Sequence, residues 1–177
     1  MKMSILEIEY KNIRKVNELK IPFINADGII IKNNFIMMAN GTGKTTTMTL
    51  LKGLFDGSAL SWESEKIKSF APVMTEAEHG EFAVTVLFDD RRYKYFLLLD
   101  YKTGSATIET SSPTLGGRES GRHLPESIRG IFSREFVRRF VFDGEQAEKT
   151  LDSSSNEADE TIKYLYQIGR ASCRERV

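Results

Sequence analysis

Apolar and polar residues alternate at the start of the chain. Leu6, Ile8 and Tyr10 are interleaved with Glu7 and Glu9, the pattern of a half-buried strand. Leu19, Ile21 and Phe23 repeat it after a polar turn between Asn12 and Asn17, so the two segments predict a hairpin. Gly28 opens Ile29-Ile30-Ile31, and Asn33-Asn34 separates that run from Phe35-Ile36-Met37-Met38. A continuous apolar run of this kind predicts a strand buried on both faces. Met48, Leu51 and Phe55 then recur at helical spacing, Leu50 and Leu54 widen the stripe, and Gly57 is a credible stop.

Residues 58–80 have no clear period. From Glu81 the pattern is strand again: Phe82, Val84, Val86 and Phe88 alternate, Asp89 to Arg92 can turn, and Tyr93 to Tyr101 returns. Lys102-Thr103-Gly104 is another turn before a third strand from Ala106 to Thr110, which makes a meander with short connections. Residues 111–123 are rich in Ser, Gly and Arg and predict a loop. Pro125 suits the first position of a helix over Glu126–Phe132, and Ser133 can cap a second one carrying Phe136, Val137 and Phe140. After Ser153-Ser154-Ser155, the residues Ala158, Ile162 and Leu165 share one helical face.

Composition narrows the possibilities. The 177 residues are 40% apolar and carry 25 basic against 25 acidic side chains. A core of ordinary size is possible without disulfides, and a uniformly basic nucleic-acid binder is excluded. One cysteine, Cys173, excludes a disulfide framework and a Cys-based zinc site. No apolar run approaches the roughly 20 residues needed to cross a bilayer, and the start is not a signal peptide, so the expectation is a cytoplasmic protein without membrane contact. The last ten residues, IGRASCRERV, resemble the conceptual translation of a sequencing adapter. The expectation is a non-native tail over 168–177 on a truncated gene.

The main chemical signal is residues 38–45. The phosphate-loop template G-x-x-x-x-G-K-[ST] is met at its last three places by Gly43, Lys44 and Thr45, while Met38 stands where the first glycine belongs. Backbone amides at a helix start converge on an anion, and the helix dipole favours negative charge there. Lys44 is placed to reach the β- and γ-phosphates, and Thr45 to ligate Mg²⁺. A strand before the loop and a helix after it are the context the template needs.

Asn40-Gly41-Thr42-Gly43-Lys44-Thr45-Thr46, with a helix ending Gly53-Leu54-Phe55-Asp56-Gly57, resembles the amino-terminal half of ABC-type ATPase heads of the SMC and SbcC class. The turn Tyr10-Lys11-Asn12-Ile13-Arg14 is similar to their first hairpin. Phe140-Val141-Phe142-Asp143-Gly144-Glu145 resembles a segment of the DndD-like branch, the ATPase of DNA sulfur modification. The resemblance implies an α/β fold: a P-loop NTPase, here the amino-terminal lobe of an ABC/SMC-type head with an antiparallel meander over 1–150 and the start of a coiled-coil helix over 151–167. It implies ATP and Mg²⁺ as ligands, with Asn40, Gly41, Thr42, Gly43, Lys44, Thr45, Thr46 and Arg14 on the nucleotide and Thr45 and Asp143 on the metal. Lys15 is similar to a basic residue near the nucleotide. The implied partners are the carboxy-terminal half of the same head, a second head with ATP between the two, and DNA. The catalytic glutamate and signature motif belong to that other half, so this chain alone should hydrolyse almost no ATP.

Two other readings stay open. One is a self-contained small kinase or GTPase with Asp100 as the metal-binding aspartate, although Asp89 and Asp100 both stand beside turn residues. The other is a non-enzymatic module with a degraded loop. His79 and His123 lack metal-ligand companions, and Trp62 reads as packing. Residues 118–139 hold six arginines against three glutamates, which suits either a solvated helix face or contact with a DNA backbone.

Overall fold

A computed structural model describes residues 3–141, except 32, 35, 39, 40, 42 and 115. The chain divides into two compact units, one ending at His123 and the other starting at Leu124. The first unit is built on six strands: β1 (Met3–Ile13), β2 (Val16–Pro22), β3 (His79–Phe88), β4 (Arg91–Asp100), β5 (Ser105–Ser111) and β6 (Arg118–Ser120). They form a single sheet in the order β2-β1-β3-β4-β5-β6, with every pairing antiparallel. Helix α1 (Lys44–Asp56), a 3₁₀ turn (Ser58–Ser61) and the short α2 (Ser64–Lys68) lie between β2 and β3 in sequence. The second unit, by itself, contains a 3₁₀ turn at Glu126–Ile128 and α3 (Arg134–Phe140).

The fold class implied by the resemblance is not what the structure has. Among the described residues the architecture is dominated by an antiparallel six-stranded sheet with three α-helices, not by the parallel sheet of a P-loop NTPase. The strand expected over Phe35–Met38 is the decisive difference. Residues 36–38 are irregular, with Met37 97% and Ile36 44% exposed. The physical reason lies in β1. Its two edges are already taken by β2 and β3, so a strand from this segment has no seat beside it. The coiled-coil start over 151–167, the 168–177 tail and the Asp143 segment lie outside the described residues.

The predicted alternation does produce strands. Ile8 pairs with Val84 and Tyr10 with Phe82, and Leu97 sits opposite Phe82 and Ile108, so one face of the sheet is apolar. Tyr10 and Phe82 meet edge to face at 5.1 Å, a favourable quadrupolar arrangement. Helix α1 covers this face with Leu50 and Leu54, both fully buried. Gly57, at φ 75°, ends α1 as the sequence predicts. The Arg122 guanidinium donates to the Phe55 carbonyl in the last turn, where the helix dipole favours a cation. Asp89 and Asp90, with φ of 40° and 64°, form the two-residue β3–β4 turn between Phe88 and Arg91. Asp100 accepts from the amides of Lys102 and Thr103 at 2.9 Å each, so it serves a turn. Ser133 caps α3 by accepting from the Phe136 amide at 3.2 Å, whereas the helix predicted over 126–132 is only a 3₁₀ turn. Part of the loop predicted over 111–123 is the short strand β6. Among the described residues, no helix is long and apolar enough to cross a membrane.

The opposite face of the sheet is polar. Glu9 on β1 is flanked by Lys20 at 3.2 Å and by Lys94, and Arg118 bridges Glu81 and Glu109. Arg118 also lies 3.6 Å over the Phe96 ring, which shields the one large aromatic on this face. Burial pushes the Glu9 carboxyl up, but hydrogen bonds from Lys94, Glu7 and Lys20 outweigh it and hold it at about 2. Glu7 moves the other way, chiefly because it shares a hydrogen bond with Glu9.

Two expectations follow from packing and charge. A Cβ on Gly53 would stand 2.3 Å from the Trp62 ring, inside α1. Alanine there gains about 1 kcal/mol of helix propensity but loses roughly 1–3 kcal/mol to overpacking. Gly53→Ala should therefore lower the unfolding midpoint, and an unchanged or raised midpoint in thermal melts would contradict the packing. Glu9 has a folded pKa below its ordinary 4.5, so its contribution is complete above that pH and lost as pH falls through about 2. Glu9→Gln should flatten the acid limb of stability across that window, read by denaturant melts stepped in pH.

Candidate phosphate-binding cleft

Three threonines in a row, Thr45-Thr46-Thr47, follow the lysine that begins α1. Each faces a different way. Thr45 is exposed, and its carbonyl accepts from Thr49. Thr46 is buried and its hydroxyl accepts from the Arg14 guanidinium at 2.7 Å. Thr47 is buried too, and it links the helix to the sheet: Tyr10 donates to its hydroxyl at 2.9 Å, and Thr47 donates to the Gly43 carbonyl at 2.9 Å. Burial pushes the Tyr10 phenol up, so it remains a donor at neutral pH.

The helix start is open. Gly43 precedes it at φ 116°, a conformation that L side chains rarely adopt, and Gly41 has φ 75°. Gly43, at the N-cap, has no side chain with which to cap the first turn, and no acidic residue stands in that turn. The amides at the start of α1 carry the positive end of the helix dipole, and the first turn holds no acidic side chain to offset it.

The β1–β2 turn faces this helix start across a cavity of about 390 Å³. Arg14 and Lys15 come from the turn, Gly41, Gly43 and Lys44 to Thr47 from the loop and helix, and Ser69, Ala71 and Val73 from the segment after α2. Ile13, Val16, Leu19 and Met38 make an apolar wall. The described lining contains three cations, Arg14, Lys15 and Lys44, and no aspartate or glutamate. Opposed carboxylates would cancel the field of the helix end, and none is there to do so.

Arg14 is held from several sides. Its own φ is 51°, its amide donates to the Phe70 carbonyl at 2.8 Å, and Nε donates to the Ser69 carbonyl at 3.3 Å. Its guanidinium lies 5.2 Å over the Phe70 ring. Of the residues singled out in the sequence, Arg14, Gly41, Gly43, Lys44, Thr45 and Thr46 therefore line one cleft. Asn40, Thr42 and Asp143 lie outside the described residues.

Sequence reasoning missed Thr47, Tyr10 and the 69–73 segment. Thr47 carries a signal, since it lies three and seven residues before Leu50 and Leu54 on the buried stripe, where a hydroxyl needs a partner. The 69–73 segment carries none.

Among the described residues no group of three or more His, Cys, Asp or Glu side chains could hold a metal. Mg²⁺ bound to a triphosphate needs only one or two protein oxygens besides the phosphates, and the exposed Thr45 hydroxyl at the cleft fits that role. No protein-family model matches the chain, and no curated protein matches it either.

The Tyr10–Thr47–Gly43 chain makes its own prediction. Thr47→Val strands the buried Tyr10 hydroxyl and should destabilise the protein by about 1–3 kcal/mol. Urea melts that show no loss would mean the chain of hydroxyls carries no weight.

Proposed function

We propose that the cleft between the β1–β2 turn and the start of α1 binds the phosphates of ATP with Mg²⁺. The observation that supports this most is the lining: three cations, a helix start entered through glycine with no acidic residue in its first turn, and no carboxylate among the described lining residues. Lys44 and the first-turn amides take the phosphate oxygens, Arg14 and Lys15 add charge from the turn, and Thr45 provides a hydroxyl for Mg²⁺. The apolar wall of Ile13, Val16, Leu19 and Met38 offers a surface for a base and sugar, which favours a nucleotide over bare phosphate. The resemblance to SMC- and SbcC-class ATPases supports ATP as the nucleotide. It also supports a parent that pairs two such units in the cytoplasm to work on DNA.

Hydrolysis would attack the γ-phosphorus in line with the leaving ADP, a step that rests on positioning and charge. No described residue of the lining is a carboxylate that could orient the water. Turnover then requires a group from elsewhere in the chain or from a partner. The same observation favours a second reading, an ATP-binding module without turnover.

Calorimetry on the full chain with ATP and Mg²⁺ tests the proposal. Lys44→Ala removes a charged donor and should weaken binding roughly tenfold to a hundredfold. Absence of heat with the parent chain, or a variant that binds as tightly as the parent, would overturn it. Phosphate release by the parent chain alone would exclude the second reading.

A further inference from the structure

The β1–β2 turn that presents Arg14 is a strained piece of backbone. Asn12 and Arg14, neither of them glycine, have φ of 52° and 51°, a region that costs free energy for ordinary side chains. Such a turn persists only where its surroundings hold it. One side chain reaches both of its supports. The Tyr101 hydroxyl, just past the end of β4, donates to the Asn12 carbonyl at 2.7 Å and approaches the Phe70 carbonyl at 3.3 Å. The Phe70 carbonyl is the same acceptor that receives the Arg14 amide.

A second observation points to the same hydroxyl. Gly80 sits within β3, where glycine has no side chain to pack and usually marks a close approach. A Cβ there would stand 2.0 Å from the Tyr101 hydroxyl oxygen and 2.7 Å from its ring carbon. The strand has given up a side chain at the place where this hydroxyl enters. Tyr101 is buried, and what the glycine admits is the hydroxyl end of its ring together with the Asn12 carbonyl it donates to.

We propose that Tyr101 is a positioning residue of the cleft, which holds the left-handed turn so that Arg14 faces the bound phosphates. This rests on the reading of the cleft as an ATP site. Tyr101 lines no part of the described cleft itself, so its effect passes through the Asn12 and Phe70 carbonyls to Arg14. Tyr101→Phe keeps the ring and removes only the donor. Gly80→Ala keeps every atom of Tyr101, displaces its oxygen, and also brings a Cβ to 3.0 Å from the Asn12 carbonyl that this oxygen holds.

The test is a cycle of variants in the full chain, titrated with ATP and Mg²⁺ in a calorimeter and melted in parallel. Tyr101→Phe and Gly80→Ala should each weaken binding roughly threefold to tenfold, the range of one hydrogen bond. Placed on an Arg14→Gln background, either change should add less than about twofold, because its route to the phosphates is already cut. A purely structural tyrosine would lower the melting temperature and cost the same affinity in both backgrounds, and that result overturns the proposal. So does unchanged affinity for Tyr101→Phe in the parent. Should Tyr101→Phe fold poorly, Gly80→Ala decides by the same comparison. ATP binding that survives Lys44→Ala overturns the reading of the cleft instead. A parent chain that takes no ATP overturns both.

Discussion

The hydrogen-bonded chain from Tyr10 through Thr47 to the Gly43 carbonyl joins the sheet to the beginning of α1. It places the helix side of the cleft. Tyr10 belongs to the central part of the sheet, paired with Leu19 on one side and Phe82 on the other, so its ring is among the best-fixed groups in the molecule. The hydroxyl at its tip fixes the first turn of α1 to within one hydrogen bond. Gly43, at a φ that only glycine takes readily, can then bend the chain into the helix without a side chain of its own at the helix start. A buried phenol and threonine cost desolvation unless paired, and each is paired here. The arrangement is specified by polar groups because apolar packing alone would not select one rotation of the helix over another.

The sheet makes a second contribution through its two unlike faces. An antiparallel sheet can bury one side and wet the other. The buried side carries α1, and the wet side carries the ion pairs around Glu9 and Arg118. Arg14 stands at a turn of this sheet, so a cation from the sheet and a cation from the helix, Lys44, meet across the same space. Bringing such like charges together costs energy in the empty protein. That cost is recovered when an anion enters, which makes the cleft better suited to a polyanion than to a neutral ligand.

Much of this was legible in the residues. Period-two alternation located β1, β3, β4 and β5, Gly57 located the end of α1, and Ser133 located the start of α3. The glycine-lysine-threonine run located the open helix end. The apolar run at 35–38 misled, because hydrophobicity alone does not say which strand, if any, a segment pairs with. Tertiary pairing settled that when β2 and β3 occupied both sides of β1. The α/β P-loop fold was inferred from a short motif and its surroundings, and a motif carries no information about strand order. Pairs such as Tyr10 with Thr47, or Tyr101 with Asn12, join residues far apart in the chain. Their partners are chosen by the fold, so no local pattern announces them.

Among the described residues, strand β2 is the last on its side of the sheet, and no further strand pairs with its outer side. A bare border of this kind invites a foreign strand to join it. Here the exposed residues are Asn17, Glu18, Leu19 and Lys20, and Pro22 closes the row without an amide to donate. Charge of both signs and a proline make this border a poor template for stacking copies into fibrils.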